Sequence, residues 1–144
     1  KEFRIRFGQS KVPFGFVNMQ SSQNRLTLER AEALNSAVES ERDIGAFFYW
    51  APEEIRNRFK MLVKDGLKGS GDYGVFALGA YSGQGLNRQD ANDTPHIVSR
   101  VSYPFKIGEE QIFEPGIQGY HGRFVPRTSS FTLEGEEDSV TPKF

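Results

Sequence analysis

The 144-residue chain has no cysteine, which excludes disulfide scaffolds and thiolate metal sites, and its 13 Phe and 15 Gly against 2 Met make a β-leaning, turn-rich mixture. Eighteen Lys and Arg stand against 19 Asp and Glu, so there is no overall field to draw in nucleic acid, and electrostatic function depends on local sorting of charge. No run approaches the roughly 20 apolar residues of a membrane helix, a test to which barrel strands are blind because each is only weakly hydrophobic.

The first element is a strand over Glu2 to Lys11, EFRIRFGQSK. Side chains alternate with a period of two, so Phe3, Ile5 and Phe7 share one face and Arg4, Arg6 and Gly8 the other. The same alternation suits a soluble sheet that buries its apolar face and a transmembrane barrel with lipid outside and water inside. Pro13 and Gly15 then break the ladder, and a long connection runs from about Val12 to Arg42. Connections of that length are often functional. Within it, Leu28 to Val38 reads as a short helix capped by Thr27.

Asp43 to Trp50, DIGAFFYW, is the second strand, with Ile44, Ala46, Phe48 and Trp50 on one face and Phe47 and Tyr49 on the other. An end aromatic on both sides suits a membrane-interface belt and an ordinary aromatic core alike. Ala51 to Lys64 reads as a helix: Pro52 and two glutamates open it, Lys60 and Lys64 close it, and Gly66 stops it. Its stripe of Ile55, Phe59, Leu62 and Val63 should dock on something.

Three further strands are expected over Tyr73 to Tyr81, His96 to Phe105 and Ile117 to Val125. In the second of these, Ile97, Val101, Tyr103 and Phe105 face one way and His96, Arg100 and Ser102 the other. Ser82 to Pro95 makes a long polar connection, Lys106 to Glu110 a short one, and the segment after Pro126 is polar and acidic. Long loops alternating with short turns are how outer-membrane barrels are built.

Several motifs carry no chemistry in their context. GSGDYG at Gly69 to Gly74 has dinucleotide-fingerprint spacing but follows a helix and opens a strand, the reverse of what phosphate cradling needs. Asp90, Asn92 and Asp93 lack the full ligand spacing of a calcium loop, and neither His96 nor His121 has neighbours for a metal site or a catalytic triad.

RFGQSKVPFGF at Arg6 to Phe16, LER at Leu28 to Arg30, ERDIGAFF at Glu41 to Phe48, YGVFALGAYSGQG at Tyr73 to Gly85 and SRVSYPF at Ser99 to Phe105 occur in one order. In this the chain resembles the phosphate-selective porin family, the trimeric outer-membrane anion porins. The resemblance implies an all-β antiparallel transmembrane barrel of 16 strands, of which residues 1–144 would be a fragment of a single barrel domain with about five to six strands and two short helices. It also implies a homotrimer in the outer membrane of a Gram-negative bacterium, among outer-membrane lipid and lipopolysaccharide, with the long loop of about residues 12–42 folded into the pore. The passage would be lined by Arg4, Arg6, Lys11, Arg30, Arg42 and Arg100 and would pass anions such as phosphate or polyphosphate. No cofactor, metal, nucleic acid or enzymatic reaction is implied.

The chemistry fits the residues. Guanidinium groups give a dehydrating anion charge and paired donors in one flat fork. Arg4 and Arg6, two residues apart, lie about 6.6 Å from each other along a strand, a spacing that holds an ion without trapping it. The other reading is a soluble β-rich module whose arginine face binds an anionic ligand. The two separate on whether Phe3, Ile5, Phe48, Val101 and Phe105 are covered by a second layer of the chain.

Overall fold

The computed structural model describes residues 1–25, 38, 40–83, 85, 94–108 and 111–123. The strands are β1 (Phe3–Lys11), β2 (Arg42–Trp50), β3 (Phe76–Tyr81), β4 (His96–Ser102), β5 (Phe105–Ile107), β6 (Gln111–Phe113) and β7 (Gly116–His121). The helices are α1 (Phe16–Met19) and α2 (Glu53–Lys64), with a 3-10 turn at Ser22–Asn24. Five strands form one antiparallel sheet in the order β1-β2-β3-β4-β7, and β5 with β6 makes a separate hairpin inserted between β4 and β7. The chain is mostly β, and none of its described helices is long and apolar enough to cross a membrane.

Register follows the alternation in the sequence. Phe3 pairs with Trp50 and Lys11 with Arg42; Gly45 pairs with Tyr81, Phe76 with Val101, and Ile97 with His121. Odd-numbered residues of β1, β4 and β7 therefore share a face with even-numbered residues of β2 and β3, and the sheet has two unlike faces. One carries Phe3, Ile5 and Phe7, then Ile44, Leu78, Ile97, Val101 and Ile117, all solvent-exposed, with Phe7 at 77% and Ile117 at 76%. No described residue covers this face. The other carries Phe47, Tyr49, Ala77, Tyr81 and Val98, which form a core with Val12 and Val38, and Phe14, Tyr73 and Tyr120 pack against it. The second layer of chain thus lies over the arginine face, opposite the phenylalanines.

Expected and observed elements differ in instructive places. The third strand starts at Phe76 because Gly74, at φ +79°, turns the chain and directs Tyr73 against the core. The fourth ends at Ser102, since Pro104 has no N–H to continue the ladder; Tyr103 bonds instead to the Pro115 carbonyl. The short KIGEE connection joins β5 to β6, not two strands of the main sheet, so connections at both ends of the sheet are long: residues 51–75 and 103–115 at one end, 12–41 and 82–95 at the other. Among the described residues the main sheet therefore does not show the expected alternation of long loops with short turns. The helix expected over Leu28 to Val38 lies outside the described residues except for Val38, a core residue.

Helix α2 forms where its signals place it, with Glu53 and Glu54 in the first turn, Lys64 in the last, and Gly66 at φ +68° just beyond. Ile55, Phe59 and Leu62 dock against Ala51 and Val75, with Trp50 and Ile112 alongside. Val63, expected on this stripe, is instead 52% exposed, because one residue's step around the helix is about 100°.

Glycine is needed where β3 passes under Phe47. A Cβ on Gly79 would lie 2.3 Å from the Phe47 ring and 3.1 Å from Val98. Gly79→Val is expected to weaken the fold by about 1–3 kcal/mol, the usual scale for overpacking, while Ala80→Val on the open face costs far less. Denaturant unfolding of both variants checks this, and equal midpoints would refute it.

Candidate functional site

The two connections that enter from opposite ends of the sheet meet over its arginine face. Gln20, after α1, donates from Nε2 to the carbonyl oxygens of Lys68 (3.1 Å) and Gly69 (3.3 Å). Between this bridge and the β1–β2 edge lies a cleft of ≈ 640 Å³, lined by Arg6, Lys11, Arg42 and Tyr73 among others.

Arg4 and Arg6 point to the same side of β1, as the spacing implied, and both stand over the ring of Tyr49, with Cζ 5.5 Å and 5.6 Å from its centroid. Their surroundings then differ. Arg4 grips Asp72 with both nitrogens, at 3.0 Å and 2.7 Å, and also donates to the Asp72 carbonyl at 2.9 Å. Arg56 Nε adds a looser contact to the same carboxylate at 3.9 Å. Arg6 is exposed and has no carboxylate partner among the described residues. It remains available to a solute.

Lys11 reaches the carbonyls of Asn18 (3.2 Å) and Gln20 (2.8 Å) and pairs with Glu41 at 3.2 Å. It closes the base of the long connection while lining the cleft. Arg25 pairs with the same Glu41 carboxylate. Arg42, opposite Lys11 in register, is exposed and unpaired by any described carboxylate. Arg30 lies outside the described residues. Both carboxylates lining the cleft, Glu41 and Asp72, are thus already matched by cations, and Arg6 and Arg42 are not. Burial pushes the Tyr73 phenol above its ordinary value of 10.0, against the pull of Arg6 and Arg42, so at neutral pH it presents a neutral hydroxyl-bearing ring.

The structure places Arg100 elsewhere. At 3% exposed, it donates to Gly74 O (3.1 Å), Ser70 Oγ (2.6 Å), Ser102 Oγ (2.8 Å) and Glu114 Oε1 (2.9 Å). Glu114 also accepts from the Ser70 N–H and hydroxyl. This buried clasp ties the β4–β7 connection to the α2–β3 connection. Its guanidinium does not reach the cleft.

Sequence reasoning missed Asp72, Tyr49 and Tyr73 as parts of the site. GSGDYG, set aside as a false nucleotide motif, supplies Ser70 to the clasp and Asp72 to Arg4. Asp72 lies 68 positions from Arg4, so no local periodicity announces the pair. A second missed carboxylate, Asp43, is buried and accepts from the Ile44 N–H (2.7 Å), Ser82 Oγ (2.7 Å) and the Gly83 N–H (2.9 Å), fixing the far end of β2 to the connection after β3. His96 is structural: Nε2 lies 2.8 Å from the Arg123 carbonyl, Nδ1 2.9 Å from the Tyr120 hydroxyl, and two tyrosine rings flank it. Among the described residues, no group of three acidic, histidine or cysteine side chains is placed to hold a metal ion.

A sheet that is bare and apolar on one side, and polar, tyrosine-lined and folded over on the other, has the character of a β-wall between an apolar medium and water. The family model described as phosphate-selective porin O and P matches residues 1–137 of the 144-residue chain. The chain belongs to that family, whose members are pores and not enzymes, and the membership points to the bacterial outer membrane. No curated protein and no solved structure matches the chain.

Proposed function

We propose that the chain forms part of the wall of a closed transmembrane β-barrel, 16-stranded as in the porins it resembles, that passes anions passively across the outer membrane, phosphate and polyphosphate among them. The observation that carries this reading is the pairing of an uncovered apolar face with a guanidinium on the opposite side, Arg6, that no described carboxylate matches, joined in the same cleft by Arg42 from the end of β2. Strands β1 and β2, nine residues each, extend about 30 Å and cross an apolar band of about 25 Å when tilted. The edges β1 and β7 offer unpaired backbone groups, which a barrel satisfies with neighbouring strands. In this arrangement residues 1–144 are one stretch of a single barrel domain, assembled as a homotrimer among outer-membrane lipids.

Inside, the folded-in segments 12–25 and 69–74 narrow the passage beside Arg6. An anion there exchanges part of its hydration shell for guanidinium donors and moves on, because the donors sit on the wall of an open cleft and do not enclose it. The whole porin containing this chain, reconstituted in planar bilayers under a tenfold KCl gradient, is expected to give a reversal potential of anion-selective sign and a chloride current reduced by millimolar phosphate. A cation-selective sign would overturn the proposal.

A further inference from the structure

The cleft has a second wall that inorganic phosphate does not use. Besides Arg6 and Arg42 it is lined by the apolar side chains of Met19, Val63 and Leu67 and by Tyr73. Val63 and Leu67 are 52% and 49% exposed, while α2 buries Ile55, Phe59 and Leu62 and leaves Met61, which does not line the cleft, 42% exposed. Phosphate is hydrated on every side, and an aliphatic surface next to it removes water without returning a donor. An anion with an apolar body uses both walls: the charged head meets the guanidiniums, and the body shields Val63 and Leu67 from water.

We infer that the cleft favours organic anions carrying a flat apolar group, arenecarboxylates and arenesulfonates, over small anions of the same charge. The cleft, at ≈ 640 Å³, has the size of a small-molecule site and holds a single substituted ring with water to spare. Tyr73 adds an aromatic surface against which such a ring can stack. This selectivity rests on the anion-pore reading above, and concerns which anions linger in the passage.

The test compares benzenesulfonate with methanesulfonate as blockers of chloride current through the whole porin in planar bilayers. Both probes stay ionised at neutral pH, so neither crosses the bilayer as a neutral acid. Removing about half of a phenyl ring's surface from water is enough for a factor of about ten, so benzenesulfonate is expected to half-block at roughly one-tenth the concentration of methanesulfonate. In Val63→Asn/Leu67→Asn the ratio is expected to fall towards one. Should that variant fail to insert, the near-isosteric Val63→Thr is expected to lower the ratio about threefold. Equal block by the two probes in the unaltered pore, or a ratio unchanged by the substitutions, overturns the inference while an anion-selective reversal potential leaves the pore reading standing. A cation-selective potential removes the pore reading itself.

Discussion

Replacing Arg100 by methionine is expected to weaken the folded chain by about 3–5 kcal/mol, the range for removing one partner of a buried ion pair. The pair is tight, with 2.9 Å between Nη2 and Glu114 Oε1 and side chains only 3% and 9% exposed. Loss of the guanidinium leaves the Glu114 carboxylate buried beside Ser70 and Ser102, whose hydroxyls alone do not balance its charge. It also frees the Gly74 carbonyl and lets residues 69–74 lift from the sheet. Arg100→Lys keeps the charge but offers no fork to span Gly74, Ser70 and Glu114, and is expected to recover only part of the loss. Arg100→Met/Glu114→Leu removes both charges and is expected to be more stable than either single variant. Urea unfolding from lipid vesicles, followed by Trp50 fluorescence, checks the order. Single variants within about 0.5 kcal/mol of the unaltered protein would show that the clasp does not hold the two connections together.

This position also shows what one sequence can and cannot disclose. The side of the sheet that Arg100 occupies was legible, because HIVSRVSYPF alternates with period two and its exposed and buried residues fall as that period demands. So was α2, since its end charges and Gly66 act within one turn of the residues they affect. The role of Arg100 was not legible, because Glu114 and Ser70 come to it through connections whose paths no periodic pattern dictates. The same holds for Arg4: its direction follows from parity, its neutralisation by Asp72 from tertiary topology. Val63 marks the intermediate case, where the helix was right and the width of its docked stripe was set by what α2 packs against.

Arg4 and Arg6, equivalent by alternation, are expected to act on the current in different ways. Arg6→Ala deletes an uncommitted guanidinium from the cleft and is expected to lower anion conductance several-fold, with a smaller shift in reversal potential. Two unit charges about 7 Å apart interact by roughly 0.6 kcal/mol in bulk water and about 2 kcal/mol at an effective dielectric of 20, which brackets a factor of about three to thirty in ion occupancy. Arg4→Ala removes a cation already spent on Asp72. Its main effect is to leave that carboxylate, about one-fifth exposed at the cleft, with Arg56 at 3.9 Å as its remaining described ion-pair partner. A negative charge beside the path repels the anions that Arg6 attracts, so the reversal potential is expected to move towards cation selectivity. Asp72→Asn works in the opposite direction, releasing Arg4 and raising anion selectivity above that of the unaltered pore. The Arg4→Ala/Asp72→Asn pair separates the two effects, because neither charge survives and the reversal potential should return close to its starting value. If Arg4→Ala gives the same potential with and without Asp72, the carboxylate does not sense the passage, and Arg4 then belongs to the conducting wall in its own right.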